Sequence, residues 1–239
     1  MRSLFIYVYA GWLVFKSVPN LIKVKRMPNT VSIENKNEQV FETPKQVSQN
    51  VIKKIGVRVH TKGMDKLPDG PVLFVCNHQG LFDILVLLGY AGKPLGFIAK
   101  QEIKKIPIIP AWMKQMHCVF IDRTDRRGAI KVINEGIENI KQGQSMVIFP
   151  EGTRSRGGKV NEFKSGSLRL GTKAEVPIVP IAIEGTYKIL EANDGKIKPA
   201  DVYLEVCDPI YPNEYKDKKN TELAGQIQMA VERAIQANS

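Results

Sequence analysis

The chain has 239 residues, 43% hydrophobic and 25% charged, which is enough for a full hydrophobic core in one large domain with a small appendage and excludes a disordered segment. Its 19 Gly and 14 Pro are ordinary usage without a repeat period, so collagen-like, solenoid and low-complexity architectures fall away. Cys76, Cys118 and Cys207 are too few and scattered for a disulfide framework and suit a reducing compartment, while 35 Lys and Arg against 24 Asp and Glu leave a net charge of +11 that biases the molecule toward nucleic acid, acidic lipid or phosphorylated metabolites.

Residues 3–15 read SLFIYVYAGWLVF, uncharged and rich in aromatics; Arg2, Lys16, Lys23, Lys25 and Arg26 are basic, and no acidic residue precedes them. A membrane-spanning helix needs about 20 apolar residues, so this segment is too short to cross a bilayer. No small-x-small cleavage site marks a secretory signal. An interfacial helix accounts for more: Phe5, Tyr7, Tyr9, Trp12 and Phe15 suit the headgroup boundary, and the cations meet anionic lipid at about 1 kcal/mol each. A buried core helix is the plainer alternative, but it leaves the cationic flank without a purpose. Residues 29–50 are polar, and Thr43-Pro44 ahead of KQVSQNVIKKIG predicts a helix beginning there, with proline near its first position. Residues 1–56 are thus expected to form a two-helix membrane-associating element, and 57–239 the main domain.

Short apolar runs follow at 57–60, 71–77, 96–100, 117–122, 145–150, 177–183 and 201–208, with helical stretches at 81–90, 127–141 and 221–237. Strands alternating with helices predict an α/β fold, a three-layer sandwich around a mixed, largely parallel sheet.

The sharpest local signal is Asn77-His78-Gln79-Gly80-Leu81-Phe82-Asp83, between a buried-type strand and an apolar helix. On one continuous helix His78 and Asp83 would lie roughly 140° apart and could not pair. The histidine therefore belongs in the turn at the strand's end, where Asp83 from the first helical turn can reach one imidazole nitrogen and leave the other free as a base. The second signal, Phe149-Pro150-Glu151-Gly152-Thr153-Arg154-Ser155-Arg156, also follows an apolar strand. A Gly-rich turn presenting the Thr153 hydroxyl and the Arg154 guanidinium suits a phosphate. A Walker A loop is excluded, because five residues rather than four separate Gly152 from Gly158-Lys159 and no Ser or Thr follows.

Lys100 and Arg123 close two further strands. If those strands are neighbours, His78, Lys100, Arg123 and Arg154 converge on the sheet rim where open α/β sheets place ligands. Neither a G-x-S-x-G elbow nor an activated cysteine supplies a nucleophile, and His60, His78 and His117 lack metal-ligand spacing. The base is then expected to activate a substrate hydroxyl directly.

Asn77-His78-x4-Asp83, Phe120-Ile121-Asp122-Arg123, Phe149 to Arg154 and Val176-Pro177-Ile178-Val179-Pro180 resemble, in order, the four blocks of the glycerolipid acyltransferase family. The likeness covers about residues 57–184 and is strongest to the bacterial members that acylate 1-acylglycerol 3-phosphate. It implies that His78, held by Asp83, takes the proton from the free hydroxyl of lysophosphatidic acid, which attacks the thioester of an acyl carrier protein or coenzyme A to give phosphatidic acid. It implies that Arg123, Glu151, Gly152, Thr153 and Arg154 hold the glycerol phosphate, with Lys100 assisting, and that Pro180 lies near the site or the acyl chain. No metal or cofactor beyond the acyl donor is implied. The family's amino-terminal two-helix element sits in one leaflet, which places the protein on a membrane, peripheral or monotopic, at the cytoplasmic face, with no nucleic-acid partner. Backbone amides near Gly80 are a candidate for stabilising the thioester oxygen during attack. The competing readings are acylation of glycerol 3-phosphate or another lysolipid, and a non-catalytic module that binds acidic lipid.

Overall fold

The computed structural model describes residues 1–28, 30–122, 126–157 and 159–238, without the side chains of 126, 127 and 129. Helix α1 (Arg2–Lys16) runs into α2 (Val18–Lys25), and α3 (Ile33–Ile55) turns back along them. Ser17 at the joint keeps helical dihedrals, and Pro19 falls in the first turn of α2, where its missing N–H costs nothing. The combined stretch Arg2–Lys25 is long and apolar enough, by length and composition, to cross a membrane. Residues 3–15, expected to be too short to cross a bilayer, are thus only part of a longer apolar helical stretch.

A second difference lies in α3. Its start is Ile33, capped by Ser32, whose Oγ accepts from Asn35 N, and Pro44 is interior rather than initial. An interior proline costs about 3 kcal/mol or more. The buried stripe Val40, Phe41, Val51, Ile52 and Ile55 offsets that, at about 1.5–3 kcal/mol for each large apolar side chain.

Strands β1 (Arg58–Lys62), β2 (Leu73–Cys76), β3 (Leu95–Lys100), β4 (Val119–Ile121), β5 (Ser145–Ile148), β6 (Ile178–Glu184) and β7 (Asp201–Val206) alternate with α4 (Asp83–Tyr90), α5 (Ile109–Gln115), α6 (Arg126–Lys141), α7 (Arg169–Ala174), α8 (Pro212–Tyr215) and α9 (Asn220–Ala237). Among the described residues the strands form one sheet in the order β1-β7-β6-β2-β5-β3-β4, parallel except where β6 meets β7. Central strands β2 and β6 are buried on both faces, hence their unbroken apolar runs. Alternation sorts them between layers: Phe74 and Cys76 face a core shared with α1 to α5, while Leu73 and Val75 face one shared with α6, α7 and α9. The first core also takes in Ile6, Leu21 and Val24, so the amino-terminal helices and the sheet share one apolar interior. Because β2, β5, β3 and β4 are neighbours and parallel, the ends that carry His78, the Gly-Thr-Arg turn and Lys100 open on one rim.

Candidate active site

The chain leaves β2 at Asn77, whose side-chain amide donates to Ile183 O at 2.8 Å and whose Oδ1 accepts from Ile183 N at 2.8 Å. That pairing ties the end of β2 to β6 and throws His78 into the turn before α4. The His78 ring stacks on Phe149, with centroids 4.2 Å apart, and its side chain is 14% exposed, so it is held on one face yet reachable. His78 Nδ1 lies 2.6 Å from Asp83 Oδ2. An imidazole that donates from Nδ1 to this carboxylate keeps its Nε2 lone pair free.

The turn is fastened by buried carboxylates. His78 N donates to Glu151 Oε1 at 2.6 Å, Gln79 N and Gly80 N donate to Asp83 Oδ2 at 2.7 and 2.9 Å, and Leu81 N donates to Glu191 Oε1 at 2.8 Å. Gln79 Nε2 donates to Glu184 Oε2 at 2.6 Å, and the Thr186 hydroxyl donates to Asp83 Oδ1. The Gly80 amide expected to stabilise an oxyanion is therefore already committed to Asp83.

The Gly-Thr-Arg turn after β5 is joined to the histidine directly, since Ser155 N donates to His78 O at 2.8 Å. Glu151 is buried; its Oε2 accepts from the backbone and side-chain nitrogens of Asn161 at 2.9 and 2.8 Å. Both its oxygens thus serve the loop and the His78 backbone rather than facing outward. Gly152 has φ +70°, and a Cβ there would lie 3.0 Å from Lys164 Nζ, so glycine lets an ammonium approach the loop backbone. Thr153 and Arg154 are exposed, with Arg154 Nη1 3.7 Å from Glu191 Oε1. Lys100 is exposed at the end of β3 on the same rim and pairs with none of these groups among the described residues. Arg123 lies outside the described residues. His78, Asp83, Glu151, Gly152, Thr153 and Arg154 thus form one cluster, and Lys100 stands two strands away from β2.

Asn77, Gln79, Glu184, Thr186 and Glu191 were not among the expected site residues. Asn77 and Gln79 lie inside the histidine motif and were readable there; Thr186 and Glu191 approach only through folding. No group of three or more His, Cys, Asp or Glu suited to a metal ion occurs among the described residues. Surface clefts of about 500 and 370 Å³ contain none of His78, Asp83, Thr153 or Arg154.

The profile of the acyltransferase family matches residues 58–184. The chain is 38% identical over 153 residues to the chloroplastic 1-acyl-sn-glycerol-3-phosphate acyltransferase BAT2 of Brassica napus, covering 63% of this chain and 44% of that protein. It is 32% identical over 146 residues to the 1-acyl-sn-glycerol-3-phosphate acyltransferase of Helicobacter pylori, 61% of this chain and 60% of the relative. The aligned part spans about half the length of such curated relatives. The crystal structure of the 1-acyl-sn-glycerophosphate acyltransferase PlsC of Thermotoga maritima superposes with a TM-score of 0.84 at 29% identity, over 99% of this chain and 95% of that one.

Proposed function

Because this chain belongs to the acyltransferase family, we propose that it is a 1-acylglycerol-3-phosphate O-acyltransferase of phospholipid biosynthesis. It moves a fatty acyl group from a thioester of acyl carrier protein or coenzyme A to the free 2-hydroxyl of lysophosphatidic acid, making phosphatidic acid. The names of the relatives support that acceptor. The observation that carries the reading is the His78 Nδ1 to Asp83 Oδ2 contact of 2.6 Å on a reachable ring whose carbonyl is bonded to the Gly-Thr-Arg turn.

In this mechanism His78 Nε2 takes the hydroxyl proton as the acceptor oxygen attacks the thioester carbonyl carbon. Asp83 stabilises the imidazolium so formed. The tetrahedral adduct collapses, the C–S bond breaks, and the imidazolium returns the proton to the departing sulfur. No acyl-enzyme intervenes: burial pushes the Cys76 thiol well above its ordinary range, and the Ser155 hydroxyl donates to His78 O rather than to the ring. Thr153, Arg154 and Lys100 meet the phosphate, Arg154 as a planar fork, with Gly152 allowing close approach and Glu151 fixing the loop. Arg123 is assigned to the same site by family resemblance.

Residues 1–56 supply the membrane-binding element and 57–239 the catalytic domain. Phe5, Trp12 and Phe15 are 54%, 50% and 69% exposed, while Ile6 on the opposite side is 3% exposed and packed in the core. An in-plane helix that keeps its inner face on the protein and offers its aromatic face to one leaflet uses both surfaces. It brings the rim to substrates whose acyl chains stay in lipid. Three free thiols fit the cytoplasmic, reducing side.

The test is product formation with each thioester donor, offered lysophosphatidate or glycerol 3-phosphate. Transfer to lysophosphatidate is expected, and His78→Ala should lower kcat by about 10² to 10⁴ while the protein stays folded. Preference for glycerol 3-phosphate, no transfer, or His78→Ala turnover close to wild type would each defeat the reading.

A further inference from the structure

Glu191 lies beyond the residues that the family profile matches, in a single 3-10 turn after β6, and its side chain is only 9% exposed. One oxygen is engaged: Oε1 accepts from Leu81 N at 2.8 Å and sits 3.7 Å from Arg154 Nη1. The other, Oε2, is buried and has no hydrogen-bond partner among the described residues. It lies against Gly80, where an added Cβ would come within 2.5 Å of it. A buried carboxylate oxygen left unpaired forfeits its hydration without return, so a donor is expected to reach it in some working state of the protein. The cation paired with this carboxylate is the half-exposed Arg154, whose guanidinium can grip a carboxylate along one edge and a phosphate along the other.

We propose that Glu191 is the positioning residue for Arg154: when an acceptor phosphate binds, the guanidinium closes onto both Glu191 oxygens along one edge and presents its other edge to the phosphate. This rests on the reading that the Gly-Thr-Arg turn takes a phosphorylated acceptor. Arginine is long and loses considerable rotamer freedom on binding, so a fixed anchor lowers that loss at the moment of recognition. The guanidinium lies between the two anions, and the positive charge it holds there outweighs their mutual repulsion. The same carboxylate holds Leu81 N and thereby links the phosphate arm to the turn that carries His78.

The test measures lysophosphatidate binding in detergent micelles, and separately KM and kcat for transfer, on the full chain. Glu191→Gln keeps an acceptor for Leu81 N but loses the charge that grips Arg154. Affinity should fall, and KM rise, by about tenfold, with a smaller change in kcat. In the Arg154→Ala background the same substitution should change affinity by less than about twofold, because its partner is gone. Arg154→Lys, at an exposed position, should bind nearly as poorly as Arg154→Ala, since an ammonium cannot span both anions. Unchanged or tighter binding by Glu191→Gln, additive effects in the double variant, or wild-type binding by Arg154→Lys would each overturn the proposal. If the wild type binds with this coupling yet transfers no acyl group, the proposed activity falls and the phosphate arm stands. If it does not bind at all, both fall.

Discussion

The Asp83 carboxylate receives four donors, His78 Nδ1, Gln79 N and Gly80 N on one oxygen and the Thr186 hydroxyl on the other. It is fully buried, so each donor matters. Thr186→Val keeps the shape and removes one, leaving Oδ1 unsatisfied at a cost of about 1–3 kcal/mol. The variant should melt at a lower temperature and lose about tenfold or more in kcat, because a carboxylate that has lost one of its fixed donors holds the imidazole less firmly. Thr186→Ser should restore both; a valine variant with kcat within about twofold of wild type would remove Thr186 from the dyad's support. The pairing of His78 with Asp83 was legible from the motif, because a strand-to-helix turn lets the two side chains meet where one continuous helix would hold them apart. Thr186 was not legible, since a threonine 103 residues from Asp83 carries no local mark of its partner.

The amino-terminal helices face two ways at once. Ser17 Oγ accepts from Trp112 Nε1 at 2.8 Å, Arg2 donates to Ile55 O at 2.7 Å, and Leu21 and Val24 lie in the shared core. Removing residues 1–26 would strip that core as well as the aromatic face, so truncation would confound folding with docking. Phe5→Ser, Trp12→Ser and Phe15→Ser together act on the exposed face and, beyond α1, touch only the Lys54 ammonium over the Phe5 ring among the contacts described. They should leave the melting temperature within about 2 °C, as surface changes do, and cut binding to anionic vesicles by at least about tenfold through lost apolar insertion. Vesicle flotation beside thermal melting separates the two; unchanged flotation would refute the interfacial role. The aromatic and basic character of this region was readable from composition, but the extent of its helices was not. Pro19 and Pro44 mark local interruptions that a continuous packed face overrides.

Across the whole molecule the basic excess is accompanied by groups whose titration follows from burial. His117, in the link between α5 and β4, has its pKa pushed below the ordinary 6.5, first by burial and then by the Lys36 ammonium. The folded state keeps it neutral while the unfolded chain protonates it below that value, so the stability it contributes is present above about pH 6.5 and is lost as pH falls through the lowered pKa. His117→Asn, which tolerates the left-handed φ of +54°, should flatten the fall in melting temperature between about pH 7 and pH 5; an unchanged slope would assign that fall to other groups. The sequence by itself determined the α/β class, the strand positions and the histidine and Gly-Thr-Arg turns, because periodicity and turn chemistry are local properties of the chain. The strand order, the mid-helix Pro44, and the meeting of Thr186 and Glu191 with the His78 turn were decided by tertiary structure alone. Those depend on which buried surfaces and unpaired polar groups find one another across distant parts of the chain, more than a hundred residues apart for Thr186 and Glu191, and no local pattern encodes that choice.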